Sequence, residues 1–441
     1  MQERRLAGWW CLGFWAFYLA AVAPFTFFRH DDWWILGNSV VSMPLDWGLL
    51  WRPTLLHNGE EIVWFFRPGF KLGTYLFFHL FGFHYVAWIA ALSALGSAAL
   101  FLGSEIARRL FNARAGLWFV LIAGASLPLH FGSFAWVGEG MMNIPQLFFL
   151  FASTLMLLYA VDRAVWIWPS VLAFVLALSF KESSLFHLAF LGAVFFFEPG
   201  MQRVALRRRA GLLAPFAVLG LFYLTVRLGW MPVNPGYIPR YDWHRVLYTV
   251  AMGVAPVALP LMVWGAFLRW GHERLPGALW ITRLAYLPFW IVSLGIYVGH
   301  GFFSPGWYLV MGWTVLLAFA ALVPAAIPRR QLLCAAAVVL VLALGPMLLR
   351  LDRLGWWKWK AAQVEFFELA RENGDLEKIT VRNCTQAPYT DIYFDRVVAN
   401  EEGVRQIWRL LHGRSIHVQI GLCNLPATPG PHHRVLDWSL R

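Results

Sequence analysis

The chain has 441 residues, 59% of them hydrophobic and only 14% charged, with a mean hydropathy of +0.58 and a formal net charge of +12. That composition excludes an ordinary soluble domain, in which about a quarter of the residues are charged. The positive balance does not indicate nucleic acid, because the basic residues sit in short clusters between apolar runs, where anionic lipid headgroups account for them.

Apolar runs of about 17 to 25 residues, long enough to cross a hydrocarbon core, recur up to about residue 349. Read in chain order, they give about eleven spans: roughly 8–28, 85–104, 114–129, 143–161, 164–180, 185–198, 211–229, 246–268, 284–300, 307–326 and 331–349. The first run follows Arg4 and Arg5 as a signal peptide would. No small-residue cleavage motif follows it, since it continues through Pro24 into Phe25, Phe27 and Phe28, so it reads as a retained span. Tryptophans such as Trp9, Trp10, Trp33, Trp34, Trp47 and Trp51 stand at the ends of these runs, where amphipathic rings suit the headgroup level.

The connection 29–70 is long for a loop and rich in aromatics, and its piece 49–56 reads as a short amphipathic helix lying on the surface. The segment 70–83 is apolar but only about 13 residues long, which suits an interfacial or re-entrant helix. Residues 350–441 return to ordinary polar sequence and read as a small α/β unit. It has a helix over 356–373 and strands over 378–382 and 415–421. This tail holds Cys384 and Cys423, a pair that reads equally as a disulfide or as two buried thiols.

Orientation follows from the basic residues. Alternate connections carry Arg4 and Arg5; Arg108, Arg109 and Arg114; Arg163; Arg203, Arg207, Arg208 and Arg209; Arg269, Arg274 and Arg283; and Arg329 and Arg330. The other set carries about half as many, so the first set is expected inside, at the cytoplasmic face. The expected architecture is an all-α polytopic membrane protein. Its transmembrane domain is 1–349, and an extracytoplasmic α/β domain at 350–441 lies outside the cell inner membrane.

Ionisable residues beside span ends are functional candidates, because a membrane protein that needs only to stay folded keeps its charges in its loops. On the outer side these are Asp31 and Asp32, Arg67 and Lys71, His130 and Glu139, Lys181 and Glu182, and His300. The two runs flanking Lys181-Glu182 are about 16 and 13 residues, or about 24 and 20 Å as helix against a core of about 30 Å. Such short arms draw the turn below the outer surface. It reads either as a wet or anion-binding site or as a self-paired turn whose lysine snorkels to the headgroups. Asp31 and Asp32 read either as solvated loop acids or as acids pinned at the interface by Trp33 and Trp34. Glu139 lies in the glycine-flanked loop Trp136-Val137-Gly138-Glu139-Gly140. Lone histidines such as His130 and His300 are more often structural than ligands, and no His or Cys spacing resembles a zinc site.

The order of motifs resembles the GT-C glycosyltransferases, which include the protein O-mannosyltransferases and the bacterial enzymes that glycosylate lipid A or O-antigen. The resemblance rests on Phe28-Arg29-His30-Asp31-Asp32-Trp33, then Phe66-Arg67-Pro68-Gly69-Phe70 leading through Leu80-Phe81-Gly82-Phe83, the stretch 127–136, and Ser179-Phe180-Lys181-Glu182-Ser183. It covers roughly residues 8–200. It implies transfer of a sugar from a polyprenyl-phosphate-linked donor to an acceptor hydroxyl on an extracytoplasmic glycan, lipid or protein. It further implies that Asp31 or Asp32 is the general base, with Asp32 favoured by the tryptophans that follow it. Arg67, Lys71 and Lys181 would face the donor phosphate, Glu182 would orient Lys181, and Glu139 would bind hydroxyls. A divalent metal is optional for this chemistry. The competing class is a transporter or lipid flippase, which predicts internal repeats and charges at the bilayer midplane.

Overall fold

The computed structural model describes residues 2–25, 28, 32, 36, 47–51, 54–58, 61–130, 133–134, 137–229, 243–270, 279, 282–300, 309–353, 356–384 and 401–438. Helices dominate. They are α1 (Gln2–Val22), α2 (Trp47–Trp51), α3 (Pro68–Phe81), α4 (Tyr85–Leu110), α5 (Ala113–Ala125), α6 (Val137–Ala160), α7 (Ile167–Phe180), α8 (His187–Phe197), α9 (Leu206–Gly229), α10 (Trp243–Trp270), α11 (Leu287–His300), α12 (Leu309–Phe319) and α13 (Arg329–Arg353). Each predicted apolar segment falls on one of them. Among the described residues α1, α4, α6, α9 and the Arg329–Leu348 part of α13 are long and apolar enough to cross a membrane, and the remaining apolar helices are shorter.

The bundle interior is built from α4, α5 and α6, whose Trp88, Trp118, Phe119 and Phe151 are fully buried. Without a hydrophobic force between helices in lipid, small residues must let the backbones approach. Gly103 of α4 does this: a Cβ there would run into the rings of Phe119 on α5 and Phe151 on α6. Toward the periphery the pattern reverses. Trp168 and Leu172 of α7, Val218, Leu221 and Phe222 of α9, and Val341 of α13 stand exposed, as lipid-facing side chains do.

Contacts at the helix ends give the bundle two chemically distinct ends. At the one holding the start of α1, Glu3 pairs with Arg114 of α5 (3.0 Å) and Arg329 of α13 (2.7 Å). Glu105 of α4 pairs with Arg4 (3.3 Å) and Arg108 (2.8 Å), and Arg109 pairs with Asp162 beyond α6. Arg283 and Glu198, 3% and 2% exposed, pair at 2.7 Å, and Tyr286 donates to the same carboxylate. Arg4, Arg108, Arg109, Arg114, Arg283 and Arg329, from the N-terminus and three of the alternate connections, are thus tied to carboxylates that join neighbouring segments at one end. The second end holds the other candidate residues.

One segment at the second end differs from expectation. Only Trp47–Trp51 is helical where a surface helix over 49–56 was predicted. Pro53 in the sequence stops a helix there. The chain then forms an antiparallel hairpin, β1 (Thr54–Asn58) with β2 (Glu61–Phe65), in which Asn58 lies opposite Glu61. The residues between the strands are Gly59-Glu60, a composition that two-residue hairpin turns favour. The segment 70–83 is a helix as predicted. α3 opens with Pro68 in its first turn and packs across the ends of α6 and α7, where Gly73 meets Met141 and Phe180.

The tail contains α14 (Trp356–Glu372), β3 (Lys378–Asn383), α15 (Glu401–His412), β4 (His417–Leu422) and β5 (His433–Trp438). The three strands are parallel in the order β4-β3-β5. Phe366 of α14 meets Trp408 of α15 with ring centroids 6.2 Å apart, and Phe367 meets Phe83 beyond α3 at 5.0 Å, so the tail adjoins the second end. Asn383 and Leu422 are the last paired residues of β3 and β4, which places the next two, Cys384 and Cys423, side by side with Cα atoms 4.6 Å apart. They form a disulfide.

Candidate functional site

The site assembles around the first turns of α6. Asp32 is 1% exposed, and its Oδ1 accepts the backbone N–H of Gly138 at 2.6 Å. An N–H at a helix start has no partner within the helix, so the bond to it holds the Asp32 carboxyl group in a fixed place. Asp31 lies outside the described residues. Glu139, expected in a glycine-flanked loop, instead sits in the first turn of α6. Gly140 permits this, because a Cβ there would lie 2.8 Å from the Ser133 carbonyl oxygen and 2.9 Å from Leu92.

Glu139, Asn143 and Gln146 follow at helical spacing on one face of α6, and all three are buried. That face grips the turn between α7 and α8. Lys181 Nζ donates to Asn143 Oδ1 at 2.7 Å, and Gln146 Nε2 donates to Ser183 Oγ at 2.9 Å and Ser184 Oγ at 3.0 Å. Asn143 in turn donates to the Glu139 carbonyl at 2.9 Å. The arms are short, as the sequence implies: α7 has 14 residues and α8 has 11. Lys181 is consequently 7% exposed.

Arg67 caps the start of α3 and enters from the other side. Its Nε and Nη2 donate to Glu182 Oε2 at 2.9 and 2.8 Å, and its Nη1 reaches Met142 Sδ at 3.0 Å. The approach depends on Gly69, whose place against Ser179 at the end of α7 leaves no room for a Cβ. Lys71, one turn further along α3 and 5% exposed, lies on the same side of that helix as Arg67.

Glu182 was expected to orient Lys181, but it holds Arg67, and Asn143 holds the lysine. Lys181 has an extended backbone, φ −158° and ψ 135°, so its side chain and that of the next residue point to opposite sides. The charges of Arg67, Glu139 and Glu182 nonetheless all act on Lys181, which makes the four a single electrostatic cluster.

Two further candidates are His130 and His300. His130 ends a short turn after α5, fully buried against α12, where a Cβ on Gly312 would lie 3.0 Å from its Cε1. His300 closes α11 as backbone, and its side chain is outside the described residues. Sequence reasoning missed Asn143, Gln146, Ser183 and Ser184. Their signal was present as uncharged polar residues at helical spacing behind Glu139 in an otherwise apolar helix. Among the described residues no three His, Cys, Asp or Glu side chains are grouped to hold a metal ion.

The site thus brings Asp32, Glu139, Glu182, Arg67, Lys71 and Lys181 to one end of the bundle, charges that come from four different parts of the chain and are mostly buried. Such a set can fix an anion with its cations and take a proton with a carboxylate. No protein-family model matches the chain, and no curated protein matches its sequence.

Proposed function

We propose that the protein is a membrane glycosyltransferase of the GT-C kind, moving a sugar from a polyprenyl-phosphate carrier to an acceptor hydroxyl on the extracytoplasmic face. The observation that carries this reading is Asp32, a buried carboxylate fixed by the Gly138 N–H, at the same end of the bundle as Lys71 and Lys181. In the reaction the acceptor oxygen attacks the anomeric carbon, the carbon–oxygen bond to the phosphate breaks, and the acceptor proton passes to the carboxylate. The anomeric centre inverts in that single displacement. The leaving phosphate already departs as a weak base and needs stabilisation rather than protonation, which buried ammonium groups supply. Arg67 contributes less charge than the sequence suggested, because Glu182 neutralises it.

In this reading the arginine-rich end of the bundle is cytoplasmic and the site and tail are extracytoplasmic. Asp32→Asn removes the base while keeping the shape, so turnover in membranes supplied with polyprenyl-phosphate sugars should fall about 10²- to 10⁴-fold. Asp31→Asn should fall far less. Wild-type turnover in both variants would end the assignment.

A second reading, a transporter or flippase, draws on the polar line that continues from the site along α6. Ser153 and Ser170 bond to each other's carbonyl oxygens, and Thr154 Oγ1 meets His187 Nε2 at 2.8 Å. These groups largely close on one another, as interhelical ties do. Substrate accumulation in vesicles that persists in Asp32→Asn would favour transport over sugar transfer.

A further inference from the structure

α9 carries an inward stripe at helical spacing. Leu212, Phe216 and Gly220 are buried, and Tyr223 and Arg227 continue the same line toward the site end. Phe216 sets its ring edge against Phe174 of α7, with centroids 5.5 Å apart. Gly220 lets α9 close on α8, since a Cβ there would lie 2.7 Å from Leu188 Cδ1. The close approach brings Tyr223 into the field of Glu182 and Arg67 at the turn between α7 and α8, with Arg227 one helical turn beyond.

Two polar atoms of this corner are shielded from solvent and have no hydrogen-bond partner among the described residues. One is the Tyr223 hydroxyl, and the other is Glu182 Oε1, the oxygen that Arg67 leaves alone. Groups left in that state are disfavoured in a finished fold, so a pair of them marks a place where something else binds. Their chemistry describes the occupant. Glu182 Oε1 only accepts, so the occupant must bring an O–H or N–H, which a phosphate diester does not. The Tyr223 hydroxyl both donates and accepts. Neighbouring hydroxyls of a sugar ring answer both demands.

We propose that Tyr223 and Glu182 form a hydroxyl-binding subsite that holds the sugar ring of the donor, separate from the lysines that face its phosphate. The proposal rests on the glycosyltransferase reading and adds where the sugar sits. Leu221, Phe222 and Leu224 on the outer side of α9 are exposed, so among the described residues α9, with Tyr223, forms a wall between surrounding lipid and the site. A lipid-linked sugar entering sideways meets that wall first.

The test uses the full-length protein in nanodiscs. Binding is measured for bare undecaprenyl phosphate and for undecaprenyl phosphate carrying glucose, mannose, galactose or N-acetylglucosamine. The wild type is expected to hold at least one sugar-bearing lipid about tenfold more tightly than the bare lipid. Tyr223→Phe should abolish that preference and leave bare-lipid affinity unchanged. The same variant should raise the melting temperature of the empty protein, because it deletes an unsatisfied buried hydroxyl, whereas a merely structural tyrosine would give a lower one. A wild type with no preference for any sugar-bearing lipid, or a Tyr223→Phe variant that keeps the full preference, overturns the subsite and leaves ordered water as its occupant. A wild type that binds neither the bare nor the sugar-bearing lipids fails at the glycosyltransferase reading itself, and the subsite falls with it.

Discussion

A buried ammonium is costly to keep unless oxygen atoms and opposite charge replace its water, and at Lys181 the oxygen comes from Asn143 with Glu139 and Glu182 acting from a distance. Asn143 is neutral, so part of the lysine's charge is left to act on a ligand. Lys181→Ala should therefore weaken binding of undecaprenyl phosphate at least tenfold while shifting the melting temperature little, both read on the purified protein. Unchanged affinity would make the lysine a structural group. The position of this residue was legible in the sequence, because two helices too short for the bilayer must draw their shared turn inward. Its partner was not legible. Adjacency of Lys181 and Glu182 suggests a pair, but the extended backbone between them sends the two side chains apart, and that depends on how α7 meets α8. For Asp32 the sequence supplied a candidate and the fold supplied the N–H that fixes it, 106 positions away.

At the scale of helices and strands, the ties at the arginine-rich end show what a purely structural charge looks like here. Arg283 donates to Glu198, to the Ala318 carbonyl and to Thr282, and Glu198 also receives Tyr286, so every charge meets several partners. Replacing Arg283 by Met strands a buried carboxylate and should destabilise the protein on the order of 3 kcal/mol, measured by thermal unfolding in detergent. Glu198→Leu in the same molecule should recover most of the loss, because the pair together is replaceable by apolar groups where one member alone is not. Sugar transfer measured below the melting temperature should be unaffected by the double change, in contrast to any change at Asp32. Element types were legible wherever hydropathy alone decides them, as in α1, α4 and α13. They were misread where an amphipathic pattern is shared by helix and strand, as in β1 and β2, which pair where a surface helix was expected. Strand β5 and helix α15 escaped notice because their apolar positions make sense only once β3 and β4 have formed the sheet that β5 extends and α15 packs against.

For the whole molecule, the proposed function depends on which end faces which compartment. Arginines collect at the end where α1 begins, and the disulfide Cys384–Cys423 lies in the tail that adjoins the opposite end. In the proposed orientation two independent rules agree: basic loops stay in the cytoplasm, and disulfides persist outside it. The agreement matters because each rule rests on a different part of the chain, the first on residues before 331 and the second on residues after 383. A reporter that needs an oxidising compartment, alkaline phosphatase, should therefore be active when fused after Arg441 and inactive when fused in the short connection before Arg329. If both fusions behave alike, an odd number of crossings does not separate the two points, and the proposed orientation of one of them is wrong. If the activities are reversed, the site opens to the cytoplasm, where a polyprenyl-phosphate sugar waiting on the outer leaflet would never meet Asp32. The orientation and the proposed chemistry thus stand on one measurement, and the fusion pair can be read without knowing the sugar or the acceptor.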